Sequence, residues 1–234
     1  MTMKALAAKL YDLRRRLWGR YVLDDPRPMA RAAPYTFYLP PAVQTGALQP
    51  GDLVKLVFRS IPPGREWEAE RIWVMITGRD AGGFTGTLDN IPSDMPQLKR
   101  GAEVSFQAHH IISIDWRDEA KAAAFVEPEV QVWIRCWVDA CVVDDGVPIG
   151  YLYREEPEAA REGDQYPDSG WRIRGAVGDQ TQAAVSERQA RFIAMGVVLN
   201  IDDSWLHLID EPVGSAFYRD AASGLFVADT DGPT

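Results

Sequence analysis

GVPIGYLYREEP (residues 146–157), DSGWR (168–172) and EPVGSAFYRD (211–220) decide how the last third of this chain folds. Gly150 to Arg154 is a short apolar-aromatic strand that runs into a charged bend at Glu155-Glu156-Pro157. Asp168-Ser169-Gly170 is a turn signal that opens onto a strand beginning at Trp171. Glu211-Pro212-Val213-Gly214 is a second bend, followed by a strand through Phe217 and Tyr218. Ser215 to Arg219 and Leu225 to Ala228 read as a closing hairpin across Ser223-Gly224. Just upstream, VQVWIRCWVDACVV (130–143) reads as one long strand. Val132, Ile134, Cys136 and Val138 share one face, and Trp133, Arg135 and Trp137 the other. Bulk on both faces predicts a central position in a sheet. Asp144-Asp145-Gly146 then predicts a hairpin into the next strand. Charged residues crowd 154–170 without apolar periodicity, which predicts an exposed acidic loop. Ser186 to Met195 reads as a helix, with Ser186 as N-cap and Gly196 as the stop. Ser204 to Ile209 is short and apolar, helix or strand.

The pattern changes towards the N-terminus. Met3, Leu6, Leu10, Leu13 and Leu17 recur at helical spacing and form one apolar stripe. Arg14, Arg15, Arg16 and Arg20 crowd the C-terminal end, where cations suit the helix dipole. Gly19 and the DDPRP segment end this helix. The stripe is expected to pack on its own domain or on a second copy of the chain, with a membrane-surface or targeting helix as the second reading and an anion or nucleic-acid site at the arginine cluster as the third. From Tyr35 onward the chain is β-rich. LVKLVFRSI (53–61) follows a Pro-Gly-Asp turn, and Ile72, Val74 and Ile76 alternate with Trp73 and Met75. Asp80-Ala81-Gly82-Gly83 is a hairpin signal. Phe84 to Leu88, EVSFQ and HHIISIDW complete five short strands, a small and strongly bent sheet or barrel. Asp118 to Phe125 is a short helical linker that ends at Glu127-Pro128-Glu129.

These readings give an α+β fold of two small domains on bent, mainly antiparallel sheets, with an N-terminal amphipathic helix. The expected boundaries are 1–35 for the helix and an extended linker, 36–117 for the first β-rich domain, 118–128 for a linker and 129–231 for the second domain. A chain of 234 residues buries enough surface to need no disulfide or metal staple. Residues 1–35 hold eight Lys/Arg against three Asp, whereas the remainder holds 17 against 31 acids. Such an acidic body repels nucleic acid and suits a basic protein partner. Only Cys136 and Cys141 are present, so there is no disulfide framework, and a cytoplasmic setting is expected. No run of 18 apolar residues occurs, and Lys4 and Lys9 interrupt any secretory core. No membrane partner is expected.

The three segments quoted first, in that order and spacing, resemble the bacterial immunity protein thirty-three family over roughly Val130 to Asp229. Tyr151, Tyr153, Arg154, Glu155, Glu156, Pro157, Asp168, Ser169, Gly170 and Trp171 match its pattern, as do Pro212, Val213, Gly214, Ser215, Phe217 and Arg219. Where the family carries a second acidic run, this chain has GAVGDQTQAAVSE. The resemblance implies a protein that binds and blocks a cognate toxin without chemistry of its own. It implies partner contacts at Tyr153, Arg154, Glu155, Glu156, Asp168 and Trp171. Residues 51–116 resemble the uncharacterised domain of unknown function family twenty-three fourteen. They carry the Trp73 strand, Gly86, Asn90-Ile91-Pro92 and Asp115-Trp116 in that family's order, and this implies architecture only.

The residues themselves offer little chemistry. Cys141 with His109, His110 or His207 is the one nucleophile–base set to consider, and no recognised local signature surrounds it. His109 and His110, read as strand neighbours, point to opposite faces and cannot chelate together. Glu155-Glu156 and Asp202-Asp203 are carboxylate pairs in polar loops, where they are solvated. No phosphate-cradling glycine motif occurs. The expectation is a non-catalytic binding protein without cofactor or metal, whose partner is a toxin with a basic surface and which self-associates through the N-terminal helix. A housekeeping scaffold protein is the alternative, and an enzyme with a cryptic pocket comes last.

Overall fold

The computed structural model describes residues 3–125, 132–160, 163–179, 181, 184–185, 187–230 and 232. The chain divides into two compact units: Met1–Arg31 with Tyr38–Pro128, and Ala32–Phe37 with Glu129–Thr234.

In the first unit, six antiparallel strands make one curled sheet: β1 (Arg20–Leu23), β2 (Leu53–Ile61), β3 (Ala69–Asp80), β4 (Gly83–Leu88), β5 (Glu103–Phe106) and β6 (Ile111–Asp115). β1 to β5 neighbour one another in chain order. β2 also pairs with β6 through Leu53–Leu56, while β1 takes Phe58–Ile61. The period-two alternation read from the sequence is the burial pattern. Val54, Leu56 and Phe58 of β2 and Ile72, Val74 and Ile76 of β3 point into one core with Phe84, Leu88, Val104 and Phe106. The β3–β4 hairpin turns across Ala81-Gly82, where the Asp80 carboxylate accepts the Gly82 N–H at 2.7 Å. Among the described residues before 126 the α-helices are α1 (Met3–Trp18), α2 (Arg27–Ala32), α3 (Ala42–Gly46) and α4 (Glu119–Ala124). Asp118 caps α4 by accepting the Ala120 N–H.

α1 corrects the expectation that its stripe packs on its own domain. Its leucine stripe does not pack on its unit: Leu6, Leu10, Leu13 and Leu17 are 47%, 58%, 52% and 60% exposed. The helix is held by its other side. Arg15 is completely buried, donates to Asp94 Oδ1 at 2.8 Å and to the Ser60 hydroxyl, and also reaches the Asp94 carbonyl. Tyr11 donates to the Pro63 carbonyl, and Asp12 pairs with Arg65 at 3.0 Å. Polar partners fixed by the sheet and its loops outweigh the apolar stripe in choosing the docked side. Burial raises the Asp94 carboxyl, but the hydrogen bonds from Arg15 and from the Glu66 and Trp67 N–H groups prevail and hold it below the ordinary range.

The second unit is a six-stranded sheet of β7 (Arg135–Asp139), β8 (Ile149–Arg154), β9 (Asp168–Gly175), β10 (Ala190–Ala194), β11 (Ala216–Arg219) and β12 (Phe226–Ala228). Their spatial order is β10-β7-β9-β8-β11-β12. All neighbours are antiparallel except β7 and β9. Three local expectations change. The long strand stops at Asp139, and Ala140–Asp144 is a helix, α5, with Val142 in the core. The expected hairpin at Asp144-Asp145-Gly146 is absent, because β9 lies between β7 and β8. The helix expected over Ser186–Met195 is instead β10, followed by α6 (Met195–Ile201); Ser186 lies outside the described residues.

Gly196 therefore sits inside α6 and does not end it. A Cβ there would fall 2.6 Å from the Tyr35 carbonyl oxygen and 2.7 Å from that of Val132, so glycine permits a close backbone approach. That approach seats Ala32–Phe37 in this unit. The Val132 N–H donates to the Tyr35 carbonyl, the Asn200 amide oxygen accepts the Tyr35 N–H at 2.9 Å, and its NH₂ donates to the Thr36 hydroxyl at 2.7 Å. The core joins Cys136, Val138, Leu152, Ile173 and Phe217 of the sheet to Val198 and Leu199 of α6, and to Trp205 and Leu208. Leu206–Leu208 is a single 3-10 turn.

Candidate functional site

Alternation along the second sheet sends Cys136, Val138, Leu152, Trp171 and Ile173 towards α5 and α6, and their neighbours to the opposite face. Strand register arranges those neighbours in rows. Phe192 pairs with Trp137, Trp137 with Arg172, and Arg172 with Tyr153. Beside that row, Tyr218 pairs with Tyr151 and Tyr151 with Arg174. The Trp137 and Phe192 rings are 5.2 Å apart, those of Tyr151 and Tyr153 6.0 Å, and the Arg135 guanidinium lies 4.6 Å from the Phe192 centroid. Trp137, Phe192, Tyr151 and Tyr153 are half-buried and Tyr218 is exposed. Tyr151 donates its hydroxyl to Asp229 at 2.8 Å; burial and that carboxylate push the phenol up to about 12.

A buried ion cluster borders this face. Arg172 donates through Nη1 and Nη2 to Asp168 at 3.1 and 2.9 Å, and through Nε to Glu155 at 2.5 Å. Asp168 also accepts the backbone N–H groups of Glu158 and Gly170. The Trp137 indole N–H donates to Glu158 Oε1 at 2.9 Å. The chain after β8 is thus folded back onto the sheet. Burial raises the Asp168 carboxyl, but the Arg172 hydrogen bonds and the two backbone donors outweigh it, so Asp168 stays ionised below the ordinary carboxylate range.

The Asp-Ser-Gly triplet is not a turn ahead of a strand. It is a bulge within β9: Arg135 pairs with Asp168 and Trp137 with Arg172, so β9 carries two more residues than β7 between these pairs. Gly170 adopts φ +83°, and a Cβ there would stand 2.2 Å from the Glu155 carbonyl oxygen. The Glu155 N–H returns a bond to the Gly170 carbonyl at 3.0 Å. Residues 168 and 172 share a face by strand alternation, and the bulge sets them opposite Arg135 and Trp137, only two residues apart on β7, so that Asp168 meets Arg172.

The six residues expected at a partner surface separate. Tyr153 lies on the open face, and Glu155 and Glu156 rim it, the first with half its side chain exposed. Arg154 points the other way, donating to the Ser169, Ile209 and Glu211 carbonyls. Asp168 is buried in the ion cluster, and Trp171 is completely buried. The Trp171 indole N–H donates to the Ile209 carbonyl at 3.1 Å, and its ring meets Trp205 edge-on at 5.8 Å. The acidic, aromatic-edged surface expected from Tyr153 to Trp171 therefore ends before Asp168. Phe192, Tyr151, Tyr218 and Arg174 share the sheet face of Tyr153, a grouping the sequence reading did not make. The alternation of Trp133, Arg135 and Trp137 was the available signal.

His109 and His110 sit in a 3-10 turn (Ala108–His110), not on a strand, with rings 4.0 Å apart. Burial and the neighbouring His109 lower the His110 pKa. Cys136 and Cys141 are free thiols, and burial pushes Cys136 up to about 12, far from a reactive thiolate.

Residues 136–229 match the family model of the Immunity protein Imm33 domain. The Imm33 segment begins in β7 and ends just past β12, so it contains the open face, the ion cluster and the Trp171–Trp205 core. No curated protein and no solved structure matches the chain. The likeness of residues 51–116 to an uncharacterised family rests on the sequence reading alone.

Proposed function

We propose that this chain is an immunity-type protein that neutralises a bacterial toxin by stoichiometric binding in the cytoplasm, making and breaking no covalent bond. The Imm33 match over residues 136–229 is the observation that carries this reading. The open sheet face supports it. Partly exposed Trp, Tyr, Phe and Arg side chains on a rigid sheet are the residue types that dominate binding hot spots. Glu155, Glu156 and Glu158 add an acidic rim that favours a toxin with a basic surface. Glu156 is the exposed rim acid without an ion pair among the described residues, so its charge is available to steer encounter. A stable complex would bury about 1,200–2,000 Å² in total.

The test is to sequence the neighbouring genes and co-express this chain with the C-terminal domain of any polymorphic toxin found there. The expected result is rescued growth and a one-to-one complex. Tyr153→Ala should weaken the complex by roughly thirtyfold, about 2 kcal/mol. Glu156→Lys should slow association at low salt and leave dissociation nearly unchanged. A toxin that binds both variants as tightly and as fast as the original chain would remove the open face from the reading. A toxin that neither binds nor is neutralised would remove the reading itself.

A further inference from the structure

We propose that α1 is a peripheral anchor that lays its leucine face on an anionic lipid surface. At 100° per residue, Met3, Leu6, Leu10, Leu13 and Leu17 fall within an arc of roughly 80°. Arg15, the residue that docks the helix, sits nearly opposite. The helix therefore has two committed sides, one tied to its unit by Arg15, Tyr11 and Asp12, and one turned outward with every leucine about half exposed. Trp18, at the end of the helix, is 72% exposed.

Charge selects the occupant. Lys9 and Arg16 flank the stripe on one side and Arg14 on the other, and none of them makes an ion pair among the described residues. Lys99 lines the same groove as Lys9, Leu13 and Arg16, where five cations, with Arg65 and Arg100, outnumber the three acids Asp12, Glu66 and Asp94. The helix's acid, Asp12, is spent on Arg15 and Arg65. A second copy pairing helix to helix would set these cations against their own kind in either orientation. An anionic bilayer surface neutralises both flanks at once and accepts a convex apolar ridge without a preformed groove. Tryptophan suits the headgroup level. At 16 residues α1 lies on such a surface, and no described helix is long and apolar enough to cross it.

The proposal concerns the first unit and stands or falls independently of toxin binding. The full chain would be sedimented with vesicles of phosphatidylcholine alone and of phosphatidylcholine containing phosphatidylglycerol. The expected result is binding to the anionic vesicles only, released by salt. Leu10→Ser with Leu13→Ser, and separately Lys9→Glu with Arg16→Glu, should each lower partitioning by at least about tenfold. These side chains are exposed, so the variants should keep the parent's circular dichroism and melting temperature. Three results would overturn the proposal: absence of vesicle binding, binding that ignores lipid charge, or a dimer in light scattering that the leucine substitutions dissolve while vesicles are ignored.

Discussion

Asp168 and Trp171 are three residues apart and do opposite work to what an acid and an aromatic in a polar segment suggest. Asp168 neutralises Arg172 inside the sheet, where removing one partner of a buried pair leaves an unpaired charge. Asp168→Asn should destabilise the second unit by about 3 kcal/mol in urea titration at neutral pH. Its pH profile has a definite sign. The fold lowers the Asp168 pKa, so the ionised form's contribution is complete above the ordinary carboxylate value and disappears as pH falls through the lowered folded value. The variant should therefore lose less stability on acidification than the parent, and parallel curves would refute the assignment. Trp171→Ala should cost about 3–5 kcal/mol, because removing a completely buried ring packed edge-on against Trp205 leaves a cavity.

At the scale of elements, spacing predicted that α1 exists but not which way it faces. A 3-4 apolar repeat normally marks the buried stripe. Here a buried arginine met by Asp94, 79 residues away in sequence, decides the docked side. Arg15→Ala should release the helix: its amide exchange should rise towards that of an isolated helix while the sheet's is unchanged. Leu13→Ser should shift unfolding by no more than about 0.5 kcal/mol, since a half-exposed side chain outside the core loses little packing. The same limit explains α5 and β10. Asp139 accepts the Gly175 N–H and pairs with Arg188 at 3.0 Å, contacts that fix the chain where β7 ends and α5 begins. ACVVD and ARFIA are short apolar-rich runs whose local pattern suits helix and strand alike. The sheet edge that β10 completes beside β7 resolved the choice.

At the scale of the whole molecule, Ala32–Phe37 leaves the chain's first unit to complete its second. Asn200→Ala would strip the partners of the Tyr35 N–H and the Thr36 hydroxyl, and should cost the second unit about 1–3 kcal/mol by denaturant midpoint. Residues 129–234 expressed alone should show a comparable loss, and a fragment as stable as the full chain would contradict this role for the segment.

By itself the sequence determined the α+β class, the five strands β2 to β6 of a bent first sheet but not its edge strand β1, the β11–β12 hairpin and the likeness of the last third to an immunity domain. Those features rest on alternation within each strand, on turns between consecutive strands or on motif order, all of which are written along the chain. Only the tertiary structure decided that β9 inserts between β7 and β8, that Asp168 and Trp171 are buried while Trp137, Phe192 and Tyr151 share the open face with Tyr153, and that the leucines of α1 face outward. Each depends on partners dozens of residues away, and the free energy of meeting them is a property of the packed molecule and not of any local stretch.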